Sequence, residues 1–195
     1  DRRQRQMCIR DSSDTVVTST PDLNPIKAFV FCGQGPQHEH MGVHMYTRFA
    51  AFRNSVNASF EMVAKFHKKN FQDEYGLFNP ELNGKVTKTD KGDWKVECIV
   101  IAITIFQIAL FDLWVDLGVQ PDVVLGHSVG EIAAMYASGA LTHEKAIRTA
   151  IARSNALSLL DTIDGQMAAL GMSRQEAEQL IQRIMKENGT DTGLW

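Results

Sequence analysis

Residues 122–136 limit the possible folds of this chain more than any other segment, because they join two opposite local preferences through a glycine-bounded turn. Val123–Leu125 favours a strand and Glu131–Ala137 favours a helix, so the character of the sequence changes across Gly126–Gly130. Ser128 lies at the centre of this G-x-S-x-G turn. Glycine at both ends lets the strand and the helix pass closely, which holds the serine hydroxyl outward on a strained backbone. The pattern predicts a nucleophile elbow.

Two main-chain amides are candidates for an oxyanion hole beside this serine. The amide of Val129 stands at the start of the predicted helix, where it can donate to the oxygen of an attacked carbonyl. A second strand-to-loop junction follows Ile26–Phe31 and places two glycines around Gln34, whose amide suits the other donor position. Viewed alone, that loop also fits a plain surface turn, and the elbow also fits a glycine-rich turn in which Ser128 only caps a helix.

The composition is that of an ordinary globular protein, with 44% hydrophobic and 22% charged residues in a length of 195, enough for one large domain. The net charge of -3 offers no basic surface for nucleic acid. Three scattered cysteines, no apolar leader and no apolar stretch long enough to span a bilayer favour a cytoplasmic protein without a membrane anchor. Four histidines between residues 38 and 67 share no regular ligand pattern, so no metal site is predicted.

Hydrophobic periodicity predicts mainly helices in the rest of the chain. Apolar residues recur every three or four positions from Met41 to about Lys69, which indicates one buried helical face. Glu97–Leu117 is apolar nearly all round and predicts a buried helix, although its β-branched residues would also suit strands. The remaining predicted elements are a helix with Thr142 as its N-cap, a short strand at Met167–Leu170, and a helix opened by a Ser173–Glu176 capping box.

Three ordered motifs resemble a known family. Phe29–Gln37, Gly126–Glu131 and Arg153 are together similar to the malonyl-CoA:acyl carrier protein transacylases and to the acyltransferase domains of polyketide and fatty acid synthases. The similarity extends from about Ile26 to Leu180. It implies an acyl-CoA thioester as substrate, the phosphopantetheine thiol of an acyl carrier protein as acceptor, and neither a metal nor another bound cofactor.

The resemblance also implies an α/β fold. Residues 26–163 would form the N-terminal part of an α/β-hydrolase-like large subdomain with a parallel sheet. Residues 164–195 would begin a small ferredoxin-like subdomain that is truncated here, since a lone strand and helix leave each other without partners. Residues 1–25 lack any hydrophobic period and are predicted as a linker or disordered segment.

Site roles carry over from the family residue by residue. Ser128 would be the nucleophile, and the backbone amides of Gln34 and Val129 would form the oxyanion hole. Arg153 would bind the acyl carboxylate, a role that suits a guanidinium because its fork makes two parallel charge-assisted bonds. Without the family, a solvated arginine on a helix is the more usual interpretation. His127 belongs to the substrate-binding motif and is not expected to act as the base.

The chain also departs from the family pattern. The family's general-base histidine follows far beyond the serine, so no residue of this chain is assigned that role, and residues 1–195 alone are expected to be nearly inactive. Cys32 replaces a usual proline and Pro36 a usual serine, both without loss of the loop glycines. Ile99 stands where many members have an active-site glutamine, whereas Gln107 keeps a second glutamine common in the polyketide branch.

The predicted function is transfer of a malonyl-type group from CoA to a carrier protein through an acyl-serine, with other synthase domains as partners. A serine esterase or thioesterase could use the same elbow with water as the acceptor, and rapid release of free acid without a carrier protein would favour it. A non-catalytic scaffold segment of a synthase is a third hypothesis, favoured by failure to form any acyl-enzyme.

Overall fold

The computed structural model describes residues 25–38, 40–67, 76–78, 94–159 and 170–188. One compact unit comprises Asn24–Ile163, and the last helix belongs to a second unit. The elements in chain order are β1 (Ala28–Phe31), α1 (Val43–Arg48), α2 (Ala50–His67), α3 (Val96–Asp116), β2 (Val123–Gly126), α4 (Gly130–Ala137), α5 (His143–Ser158) and α6 (Arg174–Asn188).

The strands β1 and β2 pair in parallel, with Phe31 opposite Gly126. Parallel neighbours need a crossover connection, which the helices α1 to α3 supply within the described residues. At the start of both strands the Lys27 amide donates to the Asp122 carboxylate at 2.8 Å, and this hydrogen bond holds the pKa of Asp122 below its usual value. The register brings the loops after Phe31 and Gly126 to the same edge of the sheet. The α/β class with a parallel sheet is thus present.

The helix α3 forms the centre of the core. It packs against α2, α4 and α5, and its residues from Cys98 to Ile105 are all buried. The expectation that no apolar stretch is long enough to span a bilayer was wrong, because length and composition alone would let α3 cross a membrane. Most of its apolar window is nevertheless buried inside this protein. The prediction of a buried helix is confirmed, and its continuous apolar surface is explained by neighbours on several sides.

The prediction of one helix from Met41 to about Lys69 was wrong in one respect, because the chain breaks at Phe49 between α1 and α2. Phe49 has extended dihedral angles (φ -115, ψ 117) and is 40% exposed. The break is stabilised by Arg53, whose guanidinium donates to the carbonyl oxygen of Tyr46 at 2.9 Å and so satisfies a carbonyl at the end of α1. The buried face lies on α2 and comprises Phe52, Ser55, Val56, Ser59, Phe60 and Val63.

Both predicted helix starts are confirmed. The Thr142 hydroxyl accepts from the amide of Lys145 at 3.3 Å at the start of α5. At the start of α6, the Ser173 amide donates to the Glu176 carboxylate at 2.7 Å and the Glu176 amide donates back to the Ser173 hydroxyl at 3.3 Å, which is a capping box. The predicted strand at Met167–Leu170 lies outside the described residues except for Leu170, which belongs to no strand. Residues 1–24 also lie outside them.

Five polar side chains from α2 to α5 form a group that we name the helix-interface cluster: Ser55, Ser59, Asp112, Tyr136 and His143. The Asp112 carboxylate accepts from the Ser55 hydroxyl at 2.6 Å and from the Tyr136 hydroxyl at 2.8 Å. Ser59 donates to the Ser55 carbonyl at 2.9 Å, so the His143 Nε2 must carry a proton and donate to Ser59 at 2.7 Å. Burial lowers the pKa of His143, and burial with the bond to Asp112 raises the pKa of Tyr136.

Candidate active site

Ser128 lies in a strained turn between β2 and α4. Its φ of 53° is in the left-handed region, which is unfavourable for a residue with a side chain. The surrounding turn fixes this conformation: the His127 amide donates to the Phe31 carbonyl at 2.9 Å, and the Glu131 amide donates to the Ser128 carbonyl at 3.1 Å. The strand, turn and helix occur where the sequence predicted them. Strain at a serine that is held from both sides is the backbone geometry expected of a nucleophile elbow.

The two glycines of the motif are required by close backbone packing. A Cβ added to Gly126 would lie 2.5 Å from the Glu131 Cα, so strand and helix touch at this point. A Cβ added to Gly130 would lie 2.1 Å from the Phe31 carbonyl oxygen and 2.6 Å from that of Cys32. Gly130 therefore lets the first turn of α4 pack directly against the end of β1. The structure thus confirms that the two glycines of G-x-S-x-G let the strand and the helix pass closely.

The glycine loop after β1 meets the elbow. A Cβ added to Gly33 would lie 3.1 Å from the Ser128 Cβ and 3.0 Å from the His127 Nδ1. Farther along, the Gly35 amide donates to the Gln37 side chain at 2.6 Å, while the Gln34 side chain is exposed. The structure thus brings together two loops that are almost a hundred positions apart in the chain, as parallel pairing of their strands requires.

Arg153 reaches the serine from α5. Its Nη2 donates to the Ser128 hydroxyl at 3.2 Å. Its Nε is buried and has no hydrogen-bond acceptor among the described residues. Arg148 lies on the same helix but is five residues earlier, about 140° round the axis, where it is 62% exposed and approaches Glu144 at 3.7 Å. Of the two arginines, the structure places only Arg153 at the serine.

The remaining predicted site residues are Val129 and His127. Val129 is 1% exposed and stands immediately before α4, and no described residue accepts a hydrogen bond from its amide. That amide is therefore available for a ligand. The His127 side chain is exposed, on the side of the elbow that faces Gly33. The oxyanion-hole role of Gln34 and Val129 stays a prediction.

Gln107 is a residue of this site whose role the sequence did not indicate. Its Nε2 donates to the Cys32 carbonyl at 2.8 Å, immediately before the glycine loop. Gln107 is only 8% exposed and lies on one wall of a mainly apolar cavity of about 420 Å³ between β1 and α3. The sequence held one clue to this role: Gln107 is an amide side chain within an otherwise apolar helix, and a buried amide in such surroundings needs a hydrogen-bond partner.

The histidines do not form a metal site in the described part of the chain. His67 lies 2.9 Å from the Glu97 carboxylate, which joins the end of α2 to the start of α3. His38, His40 and His44 lie on the exposed surface. Within the described ranges, no group of three or more His, Cys, Asp or Glu side chains converges on one point.

A strained serine between a parallel strand and a helix, with a glycine loop and an arginine beside it, defines an α/β protein of the nucleophile-elbow class. Residues 28–188 match the family model for the acyl transferase domain, and the chain belongs to this family. The family resemblance inferred from the three motifs is thereby confirmed.

Fungal polyketide synthases are similar to the chain at the sequence level. Highly reducing polyketide synthase stpks1 of Strobilurus tenacellus is 35% identical over 174 residues, which cover 89% of this chain and 6% of that protein. Highly reducing polyketide synthase curS1 of Aspergillus terreus is 39% identical over 170 residues, which cover 85% of this chain and 7% of that protein. The chain therefore spans only a small fraction of the length of these relatives.

Solved acyltransferase structures share the fold. The loading acyltransferase from the avermectin modular polyketide synthase is 31% identical, with a TM-score of 0.56 over 68% of this chain and 39% of that one. The acyl transferase domain of ZmaA has a TM-score of 0.63 over 84% of this chain and 36% of that one, at 22% identity. The chain is therefore similar in sequence to polyketide synthases and shares the fold of solved acyltransferase domains.

Proposed function

We propose that this chain provides the nucleophile of an acyltransferase that moves a malonyl-type acyl group from CoA to the phosphopantetheine thiol of an acyl carrier protein. The observation that carries the proposal is the 3.2 Å contact between the Arg153 guanidinium and the Ser128 hydroxyl. A cation at a nucleophilic serine suits a substrate with a second, charged end, because it can hold that end while the thioester faces the serine.

The first half-reaction acylates the serine. The Ser128 oxygen attacks the thioester carbonyl and forms a tetrahedral oxyanion, which the amides of Val129 and Gln34 would stabilise. Collapse of the oxyanion breaks the carbon–sulfur bond, and CoA leaves as the thiol with the proton that the serine gave up. The family resemblance implies a histidine as the carrier of that proton, and no residue of this chain is assigned to it.

The second half-reaction releases the acyl group to the carrier. The phosphopantetheine thiol attacks the serine ester, the carbon–oxygen bond breaks, and the thiol proton returns to Ser128. The product is an acyl thioester on the carrier protein, and the enzyme is restored. Both half-reactions balance with the serine, the proton carrier and the two thiols, so the proposal invokes no metal and no further cofactor.

The acyl group is proposed to be a dicarboxylic one because Arg153 has unused donors. Its Nε is buried without an acceptor among the described residues, which is costly for a charged group unless a ligand completes its bonding. A carboxylate would accept two parallel hydrogen bonds from the guanidinium edge. An acetyl or other uncharged acyl group offers no such acceptor.

The proposed setting follows from the relatives. The substrates are acyl-CoA and a carrier protein, and the partners are the other domains of a polyketide synthase in the cytoplasm. Neither nucleic acid nor a membrane surface is a proposed ligand.

The test is acylation of the full-length protein by radiolabelled malonyl-CoA, with the carrier kept in its apo form so that label remains on the serine. We expect label on the peptide that contains Ser128 and none in the Ser128→Ala variant. Arg153→Ala should slow labelling by malonyl-CoA by roughly 10- to 100-fold, the cost of hydrogen bonds to a charged group, and should slow labelling by acetyl-CoA much less.

Arg148→Ala is the matched control, because it removes the same charge from the same helix away from the serine, and it should label like the parent. Label that persists in Ser128→Ala would refute the acyl-serine. Equal losses with malonyl-CoA and acetyl-CoA in Arg153→Ala would refute carboxylate binding. Release of free malonate at the acylation rate would instead identify a hydrolase.

A further inference from the structure

Gln107 has a buried side-chain amide of which the donor is hydrogen-bonded and the acceptor is not. Its Nε2 donates to the Cys32 carbonyl at 2.8 Å, whereas its Oε1 is buried and has no hydrogen-bond partner among the described residues. The orientation of the amide follows from the chemistry, since a carbonyl accepts and cannot donate. A leucine would fit this apolar helix without an unpaired acceptor, so the bond to Cys32 is the reason for an amide here.

The Cys32 carbonyl lies beside both the glycine loop and the helix that follows the elbow. It follows Phe31, the last residue of β1, and precedes the loop Gly33–Gln37, which carries the Gln34 amide. It also packs against the first turn of α4, where a Cβ on Gly130 would lie 2.6 Å from it. The bond from Gln107 therefore ties α3 to the peptide that lies between the glycine loop and the elbow.

The tip of the loop, which carries the Gln34 amide, faces solvent. Gln34 and Gly35 are exposed, and the Gly35 amide is bonded within the loop, to the Gln37 side chain at 2.6 Å. Gly33 packs closely against the elbow, because a Cβ added to it would lie 3.1 Å from the Ser128 Cβ and 3.0 Å from the His127 Nδ1. A donor for an oxyanion must be placed to a fraction of an ångström, because a small displacement lowers the rate severely.

We propose that Gln107 is a positioning residue, which fixes the Gly33–Gln37 loop against the elbow so that the Gln34 amide points at the oxyanion formed on Ser128. The inference rests on the proposed function, because it requires an oxyanion at Ser128. Gln107 does not touch the reacting atoms; it acts through the Cys32 carbonyl.

The test compares Gln107→Leu and Gln107→Glu in the full-length protein. Leucine removes the donor and keeps the volume, and an ionised glutamate keeps the length but offers only acceptors. We expect kcat for malonyl transfer to fall roughly 10- to 100-fold in both, with KM for malonyl-CoA changed less than about threefold, because the oxyanion exists only in the transition state. Hydrogen exchange of the peptide containing residues 33–38 should become faster in both.

Thr104→Val is the matched control. Thr104 is fully buried on α3, one turn earlier, and its hydroxyl donates to the Val100 carbonyl within the same helix, so its loss does not reach the loop. The control should keep both kcat and the loop exchange of the parent. Parental kcat in Gln107→Leu, or equal losses in Thr104→Val, would overturn the proposal.

Failure of the proposed function would be visible separately, as a parent protein that does not label at Ser128. In that case the exchange measurement still decides the structural half of the inference. Unchanged exchange in both Gln107 variants would show that Gln107 does not hold the loop.

Discussion

The elbow region and the helix-interface cluster differ in whether their buried polar groups have hydrogen-bond partners. At the elbow, Ser128 has an unfavourable φ of 53°, and Arg153 and Gln107 each keep a buried polar atom without a partner among the described residues. In the cluster, both carboxylate oxygens of Asp112 accept a hydroxyl donor, and the His143 Nε2 is bonded to Ser59.

At the elbow the unpaired Arg153 Nε is proposed to serve a ligand, whereas the paired polar groups of the cluster serve the fold. Each unmet hydrogen bond of a buried group costs about 1–3 kcal/mol, so unpaired donors persist only where something else completes them. The cluster completes itself and joins α2, α3, α4 and α5, two of which carry the elbow and Arg153. The hydrogen-bonded cluster therefore holds in place the helices that carry the elbow and Arg153. Variants in the two regions should consequently fail in different ways.

The largest effect is expected from Gly130→Ala at the elbow. The new Cβ would lie 2.1 Å from the Phe31 carbonyl oxygen, and both partners are main chain, so either β1 or α4 must move. We expect a loss of about 3 kcal/mol or more in the free energy of unfolding, and an acylation rate at least about 100-fold lower because Ser128 moves with the helix. Denaturant unfolding of the acyltransferase domain and malonyl labelling measure the two.

Gly139→Ala is the control for that change. Gly139 follows α4 at φ 78 with open space around it, so alanine there costs only the left-handed backbone, about 1–2 kcal/mol, and leaves the acylation rate of the folded protein unchanged. If Gly130→Ala were as mild as Gly139→Ala, the close packing of α4 on β1 would be contradicted.

The next effect is expected from Asp112→Ala in the cluster. Its removal leaves the Ser55 and Tyr136 hydroxyls without their acceptor, which should lower the free energy of unfolding by roughly 2–4 kcal/mol. The acylation rate per folded molecule should stay near that of the parent, because the hydrogen bonds of the cluster do not include Ser128 or Arg153, which bond to each other. The comparison of unfolding with labelling therefore distinguishes this variant from Gly130→Ala.

Asp116→Ala removes the same charge from an exposed position one turn farther along α3 and should change stability by less than about 0.5 kcal/mol. If Asp112→Ala lowered the acylation rate by more than its unfolded fraction explains, the cluster would affect catalysis as well as stability, and the distinction between the two regions would be contradicted.

Sequence reasoning identified the local features of the fold and site. Ser128, the glycines beside it and the caps at Thr142 and Ser173 were all predicted, because each depends on neighbouring residues and on backbone sterics. The assignment of Arg153 to the site came from family resemblance, since periodicity alone favoured a solvated arginine, and its contact with Ser128 was found only in the structure.

Long-range bonds were not predictable from the pattern. At the break near Phe49 the Arg53 guanidinium donates to the Tyr46 carbonyl, but an arginine at this position is equally compatible with a continuous helix when only the sequence is known. Gln107 was visible as a polar residue in an apolar run, but its partner Cys32 lies 75 positions away. Neither propensity nor spacing specifies such pairs, because they are fixed only when the helices pack.

The smallest of the three effects concerns the pH dependence of the cluster. Burial lowers the pKa of His143, and the charge of Asp112 offsets part of that shift. The unfolded chain has the ordinary histidine pKa of about 6.5, so it binds a proton at a higher pH than the folded protein does. Stability should therefore be unaffected well above that value and should fall as the pH drops through it, until the folded state is protonated as well.

His143→Gln tests this linkage, because glutamine can still donate to Ser59 but does not titrate. Between about pH 7.5 and pH 5.5, a window that spans the ordinary histidine pKa, the variant should lose less unfolding free energy than the parent, as measured by denaturant midpoints. Parallel curves would show that His143 binds protons equally in both states. The cluster would then be open to water, and the contrast with the elbow would rest on hydrogen bonds alone rather than on burial.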